Sequence, residues 1–146
     1  IYTPNDIERV LSLAPCDTSA KRGGGKKNKV RYYNISCSFD IETTSFYVDE
    51  TGEAIDYATK VQRQQVDSNY NPEKCAIMYV WQFGVNGRVI IGRTWDEFVA
   101  MMTRVQAYLN LNTHLRLVVY VHNLAYEFQF MRKWFNWVKV FATEER

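Results

Sequence analysis

Polar and apolar positions alternate from Asn34 to Glu42, with Ile35, Cys37, Phe39 and Ile41 apolar or small and Asn34, Ser36, Ser38, Asp40 and Glu42 polar. A period of two predicts a strand over residues 31–42, which sends Asp40 and Glu42 off one face about 7 Å apart. Upstream, Ile7, Val10, Leu11 and Leu13 form the apolar face of a short helix, with Thr3 or Asn5 as its cap and Pro15 as its stop. Residues 47–74 are sparsely apolar and read as an excursion between strands, with a short helix around Tyr57–Gln65.

The pattern sharpens from Cys75. Cys75 to Val85 is rich in aromatic and β-branched residues, Asn86-Gly87 is a two-residue hairpin signal, and Arg88 to Arg93 returns as a strand. Thr94-Trp95-Asp96-Glu97 is a capping box opening a helix whose apolar face is Trp95, Phe98, Val99, Met102, Val105 and Leu109. Leu115 to Val121 is nearly unbroken apolar sequence, the pattern of a strand buried on both faces. Asn123 can cap a second helix with Leu124, Phe128, Met131 and Phe135 as apolar positions, and Val138 to Ala142 reads as a last short strand. Strands joined by a hairpin and an excursion, followed by alternating helix and strand, predict an α/β fold. Its mixed sheet is flanked by helices and antiparallel at one side.

The 146 residues suit one domain able to bury a core, and a composition 47% hydrophobic and 15% aromatic excludes a disordered chain. The net charge of +2 names no partner, but its distribution is uneven. Lys21-Arg22-Gly23-Gly24-Gly25-Lys26-Lys27-Asn28-Lys29 puts five positive charges around three glycines, as a solvated linker or an arm that touches phosphates. Residues 1–30 therefore read as a short helix and basic linker, and residues 31–146 as the domain. The three cysteines, Cys16, Cys37 and Cys75, lie far apart and indicate neither a zinc site nor a disulfide framework. No membrane span or signal peptide is legible, which predicts a cytoplasmic protein. The opening at Ile1 and the unclosed Thr143-Glu144-Glu145-Arg146 read as a piece of something longer.

Adjacent carboxylates repel unless a cation sits between them, and oxygen ligands suit a hard divalent metal. Asp40 and Glu42 thus fit metal-assisted phosphodiester hydrolysis, against the plainer reading of a solvated strand end. The segment Tyr120-Val121-His122-Asn123-Leu124-Ala125-Tyr126-Glu127-Phe128 adds a third carboxylate, an amide and an aromatic plane. Those are groups that hold single strands, although Asn123 also serves as a cap, Tyr126 as packing and Glu127 as a first-turn charge.

Taken together, Ser38-Phe39-Asp40-Ile41-Glu42-Thr43-Thr44 and Val121-His122-Asn123-Leu124 resemble the first two exonuclease motifs of family B DNA polymerases. The likeness is nearest to the protein-primed branch of phages and linear plasmids. Val80-Trp81-Gln82-Phe83-Gly84 and Trp95-Asp96-Glu97-Phe98 resemble the segments between those motifs, so the similarity covers residues 31 to about 140. It implies a ribonuclease H-like exonuclease fold and a proofreading 3′–5′ exonuclease using two Mg²⁺ or Mn²⁺ ions. Asp40, Glu42 and Glu127 would be the catalytic metal ligands; Thr43, His122, Asn123 and Tyr126 would contact a single-stranded DNA 3′ end. His122 would also meet a priming (terminal) protein. The parent would be a DNA polymerase, a nucleotidyltransferase encoded by a phage or plasmid and acting in the host cytoplasm.

Two departures qualify the resemblance. The family usually has Asp where this chain has Glu127, and one methylene shifts a carboxylate by roughly 1 Å. The third motif, a Tyr three residues before an Asp, is missing, since no Asp follows Glu127. The fold is incomplete at its C-terminus by that measure. The alternative is a weak or inactive module that binds single-stranded DNA or a priming protein.

Overall fold

A computed structural model describes residues 1–18 and 30–131. The basic linker, Phe135 and the expected strand from Val138 to Ala142 lie outside the described residues. The chain divides into two compact units, residues 1–41 with 80–146, and residues 42–79.

The first unit carries the predicted core. Helix α1 (Ile7–Ser12), entered through a 3₁₀ turn at Pro4–Asp6 that Thr3 and Asp6 cap reciprocally, buries Ile7, Val10 and Leu11. Leu13, expected on that face, is exposed and Ala14 is buried in its place, because the helix stops at Ser12 and the angular spacing ends with it. The residues expected as one strand, 31–42, form two. Strand β1 (Arg31–Tyr32) is separate from β2 (Cys37–Val48). The break is held by distant partners: Asn34 N donates to Asp17 O (2.8 Å), and Ser36 exchanges bonds with Asn86 (both 2.8 Å). Burial along Ile35–Glu42 alternates as the sequence predicts.

Strand β2 runs on into the second unit, where β3 (Ala54–Ile55) pairs with its far end and α2 (Tyr57–Val66) follows. The chain returns along β4 (Glu73–Val85) and turns at Asn86-Gly87 into β5 (Arg88–Gly92). Both turn residues have the positive φ (48° and 87°) that the sequence signal requires. The capping box opens α3 (Trp95–Leu109), and Asn110 closes it in the left-handed region. The expected doubly buried strand Leu115–Val121 is instead two short pieces, β6 (Leu115–Arg116) paired with β1 and β7 (Val119–Val121) paired with β2. Val118, between the two pieces, and Tyr120 are exposed, while Val119 and Val121 are half-buried. Helix α4 (Leu124–Met131) follows directly.

The architecture is a mixed α/β fold with a mostly antiparallel sheet flanked by helices. Within the first unit the strand order is β5, β4, β2, β7, with β4–β5 antiparallel and β2–β7 parallel. One face of this sheet, Cys37, Phe39, Trp81, Phe83 and Ile90, is buried together with Phe98, Met101, Val105 and Leu109 of α3. Met101 takes the core position expected of Met102, a shift of one residue around the helix. Glu8 and Arg104 pair α1 with α3 (Oε2 to Nε 2.8 Å).

Gly92 shows how tightly β4 and β5 pack. A Cβ there would lie 2.1 Å from Cζ2 of Trp81, whose indole is buried and donates to Thr94 O (2.8 Å). Gly92→Ala should therefore lower stability by about 1–3 kcal/mol, and Trp81→Phe in the same chain should recover part of it. Urea denaturation of the single and double variants measures both.

The second unit is built around Asp49. Its Oδ1 accepts from Thr51 Oγ1 (2.6 Å) and from the Thr51 and Glu53 amides (3.0 Å each), while Oδ2 accepts from Arg63 (3.1 Å). The Thr51 hydroxyl, then the Glu53 amide, hold the Asp49 carboxyl below the usual carboxylate range. A lowered folded-state pKa stabilises above the unfolded value and is lost as pH falls through the folded one. The Thr51 and Glu53 amide resonances should stay in place through the range where an ordinary carboxylate titrates and move together only below it. In Asp49→Asn they should not respond.

Candidate functional site

The parallel pairing of β2 with β7 brings the two sequence motifs to the same end of the sheet. Its register is Cys37↔Val119, Ser38↔Tyr120 and Phe39↔Val121. Asp40 and His122 are each the next residue, so they emerge from adjacent strands, which lie about 4.8 Å apart in a sheet. Both are exposed. His122 and Asn123 make the turn into α4, and the Asn123 side chain accepts from the Tyr126 amide (3.3 Å). Asn123 is thus the predicted cap, and capping sets where α4 starts relative to β7.

Helix α4 then separates its two candidate residues. Tyr126 is 38% exposed and meets Phe130 edge-on (5.2 Å between ring centroids). Glu127 is 2% exposed, the one buried polar side chain among the described residues, and shares its helix face with buried Met131. A carboxylate is costly to bury without compensating contacts, which sets Glu127 apart from a solvated first-turn charge. Sequence periodicity gave no sign of this burial, because the apolar positions read for α4 skipped Glu127.

Glu42 and Thr43 follow Asp40 along β2, Glu42 exposed and Thr43 half-buried, and both belong to the second unit. The oxygen-only donors Asp40, Glu42 and Glu127 suit a hard divalent cation in kind. Among the described residues, however, no three His, Cys, Asp or Glu side chains gather closely enough to hold one. Cys37, just before the first motif on β2, offers no nucleophile, since burial pushes its thiol up to about 12.

Among the described residues the sheet face that carries Asp40 is open. Ser36 meets Asn86 and Ser38 meets Gly84, so β4 runs antiparallel to β2. With Gly84↔Val89 and Gln82↔Ile91 registered across β4–β5, Ser38, Asp40, Gln82, Gly84, Val89 and Ile91 line a groove of about 350 Å³. Tyr120, 66% exposed, stands beside Ser38 on the same face by register. The sequence motifs had not pointed to Gln82 or Tyr120 as site residues, and only the cross-strand register reveals them.

Among the described residues no helix is long and apolar enough to cross a membrane. No protein-family model, curated protein or solved structure matches this chain, so its reading rests on its own residues and geometry.

Proposed function

We propose that this chain is the exonuclease portion of a protein-primed, family B-type DNA polymerase, with a ribonuclease H-like fold that acts at the 3′ end of single-stranded DNA. The observation that carries the reading is the parallel register that puts Asp40 and His122 side by side. The strand order β5, β4, β2, β7, with a parallel fourth strand leading into a helix, supports the fold assignment. In this reading Asp40, Glu42 and Glu127 hold Mg²⁺ or Mn²⁺, and the bound metal supplies charge stabilisation and an activated water. His122, Asn123, Tyr126 and Thr43 orient the terminal nucleotides, with Tyr126 offering an exposed ring and His122 facing solvent where a priming protein or DNA can reach it.

A second reading is favoured by the absence of a three-ligand cluster among the described residues. The module would then hold single-stranded DNA or a priming protein without cutting. Incubation with 5′-labelled single-stranded DNA and Mg²⁺ or Mn²⁺ separates the two. The nuclease reading expects a stepwise ladder shortened from the 3′ end, blocked by a 3′-terminal cap and by chelator. Retention of DNA with no ladder selects the holding module, and no retention at all rejects both.

A further inference from the structure

Among the described residues β5 is the last strand on its side of the sheet, so its outer edge carries backbone groups that β4 does not pair. Such an edge invites another strand, and an unguarded one joins copies of a chain. Ile91 donates its amide to Tyr2 O (3.1 Å), so the outward-facing positions of β5 are Val89 and Ile91. Arg93, the next outward position just past the strand, donates its amide to the Glu97 carboxylate (2.8 Å). Two consecutive edge amides are thus satisfied by partners that are not strands. Val89, the remaining position, is 43% exposed.

Tyr2 belongs to a segment that is held in place from elsewhere. It aligns with Ile90 in parallel as a single rung. Two residues on, Pro4 has no amide hydrogen to give, so the pairing stops there. The turn at Pro4–Asp6 packs against β5 and α3, and α1 buries Ile7, Val10 and Leu11 completely. Arg104 of α3 grips the same segment at Glu8 (2.8 Å) and at Asn5 O (3.3 Å). We propose that residues 2–14 are an edge guard, a strap that fills the outer edge of β5 and keeps a second copy of this chain from pairing there. A second copy is the partner excluded because one edge complements itself: two β5 strands related by a two-fold axis pair antiparallel and join two sheets into one. The β-branched run Val89-Ile90-Ile91 suits that pairing. The guard is independent of the nucleic-acid reading above.

The test is equilibrium sedimentation over a concentration series, comparing the whole chain with one shortened by Ile1 and Tyr2 alone. Ile1 is fully exposed and the cut leaves Thr3, the turn and α1 in place, so cooperative melting by circular dichroism should persist. The shortened chain should associate with itself about tenfold or more tightly than the whole chain, because a two-fold pair regains the Ile91 bond twice. Val89→Lys in the shortened chain should return it to the behaviour of the whole chain, since a charge on an edge strand blocks strand addition. Equal association of the whole and shortened chains would overturn the guard. Tighter association that Val89→Lys leaves in place would overturn the role of the β5 edge. A shortened chain that no longer melts cooperatively would make Tyr2 part of the core, and the guard would fall with that result as well.

Discussion

Replacing Phe98 by alanine should remove about 3–5 kcal/mol of stability, a large share of the 5–15 kcal/mol a small domain has in total. Phe98 is 3% exposed, and its ring lies 4.5 Å from Phe39, 4.9 Å from Trp81, 5.9 Å from Trp95 and 6.4 Å from Phe83. It is where α3 meets both central strands. Truncation costs the transfer of the ring and leaves a cavity that large, edge-on aromatic neighbours cannot easily fill. Urea denaturation should show a lower midpoint at an unchanged slope, and Phe98→Leu should recover part of the loss. The effect should reach the site as well, because Phe39 sits between Ser38 and Asp40 on β2. A loss under about 1 kcal/mol would mean that α3 does not hold the sheet in the way its packing indicates.

Much of this arrangement is legible locally. Asn86-Gly87 demands positive φ, Thr94 and Glu97 satisfy each other across one turn, and Phe98 repeats at helical spacing with Val105 and Leu109. Each signal spans a few residues and needs no knowledge of the rest of the chain. The misreadings concern partners far away in sequence. The break between β1 and β2 depends on Asp17 and Asn86, neither of which is visible from residues 31–42. The second unit looked like an excursion because its organising bonds join Asp49 to Arg63 and Arg63 to Tyr70, polar pairs that leave no apolar period.

The candidate site divides in the same way. Asp40 and Glu42 announce themselves by alternation, and His122 to Glu127 by their motif. That the two segments meet is a fact of register, set by three β2–β7 pairs. The unbroken apolar run Leu115–Val121 carries no period, so it could not show that Tyr120 faces outward. The burial of Glu127 is hidden from the sequence for the converse reason. A charge in a first helical turn is usually solvated, and only the packing of α4 buries it.

Asp40→Ala bears hardest on the proposed chemistry. Asp40 is exposed on the open sheet face, so its loss should leave folding intact. If it holds a metal that carries several kcal/mol of transition-state stabilisation, cleavage of single-stranded DNA should fall by at least about 10²-fold. DNA retention without metal should hold or rise, because one negative charge beside a polyanion is gone. Asp40→Asn sharpens the test. Two carboxylates about 7 Å apart in water repel by roughly 0.6 kcal/mol, so removing one charge should keep or slightly raise metal-free stability while metal affinity drops. The two readings part at this variant. A metal ligand links cleavage and Mn²⁺ affinity to Asp40 with folding untouched, whereas a solvated strand-end carboxylate leaves both unchanged. Cleavage that survives in Asp40→Ala would have to come from residues other than this strand, and the nuclease assignment would fail with it.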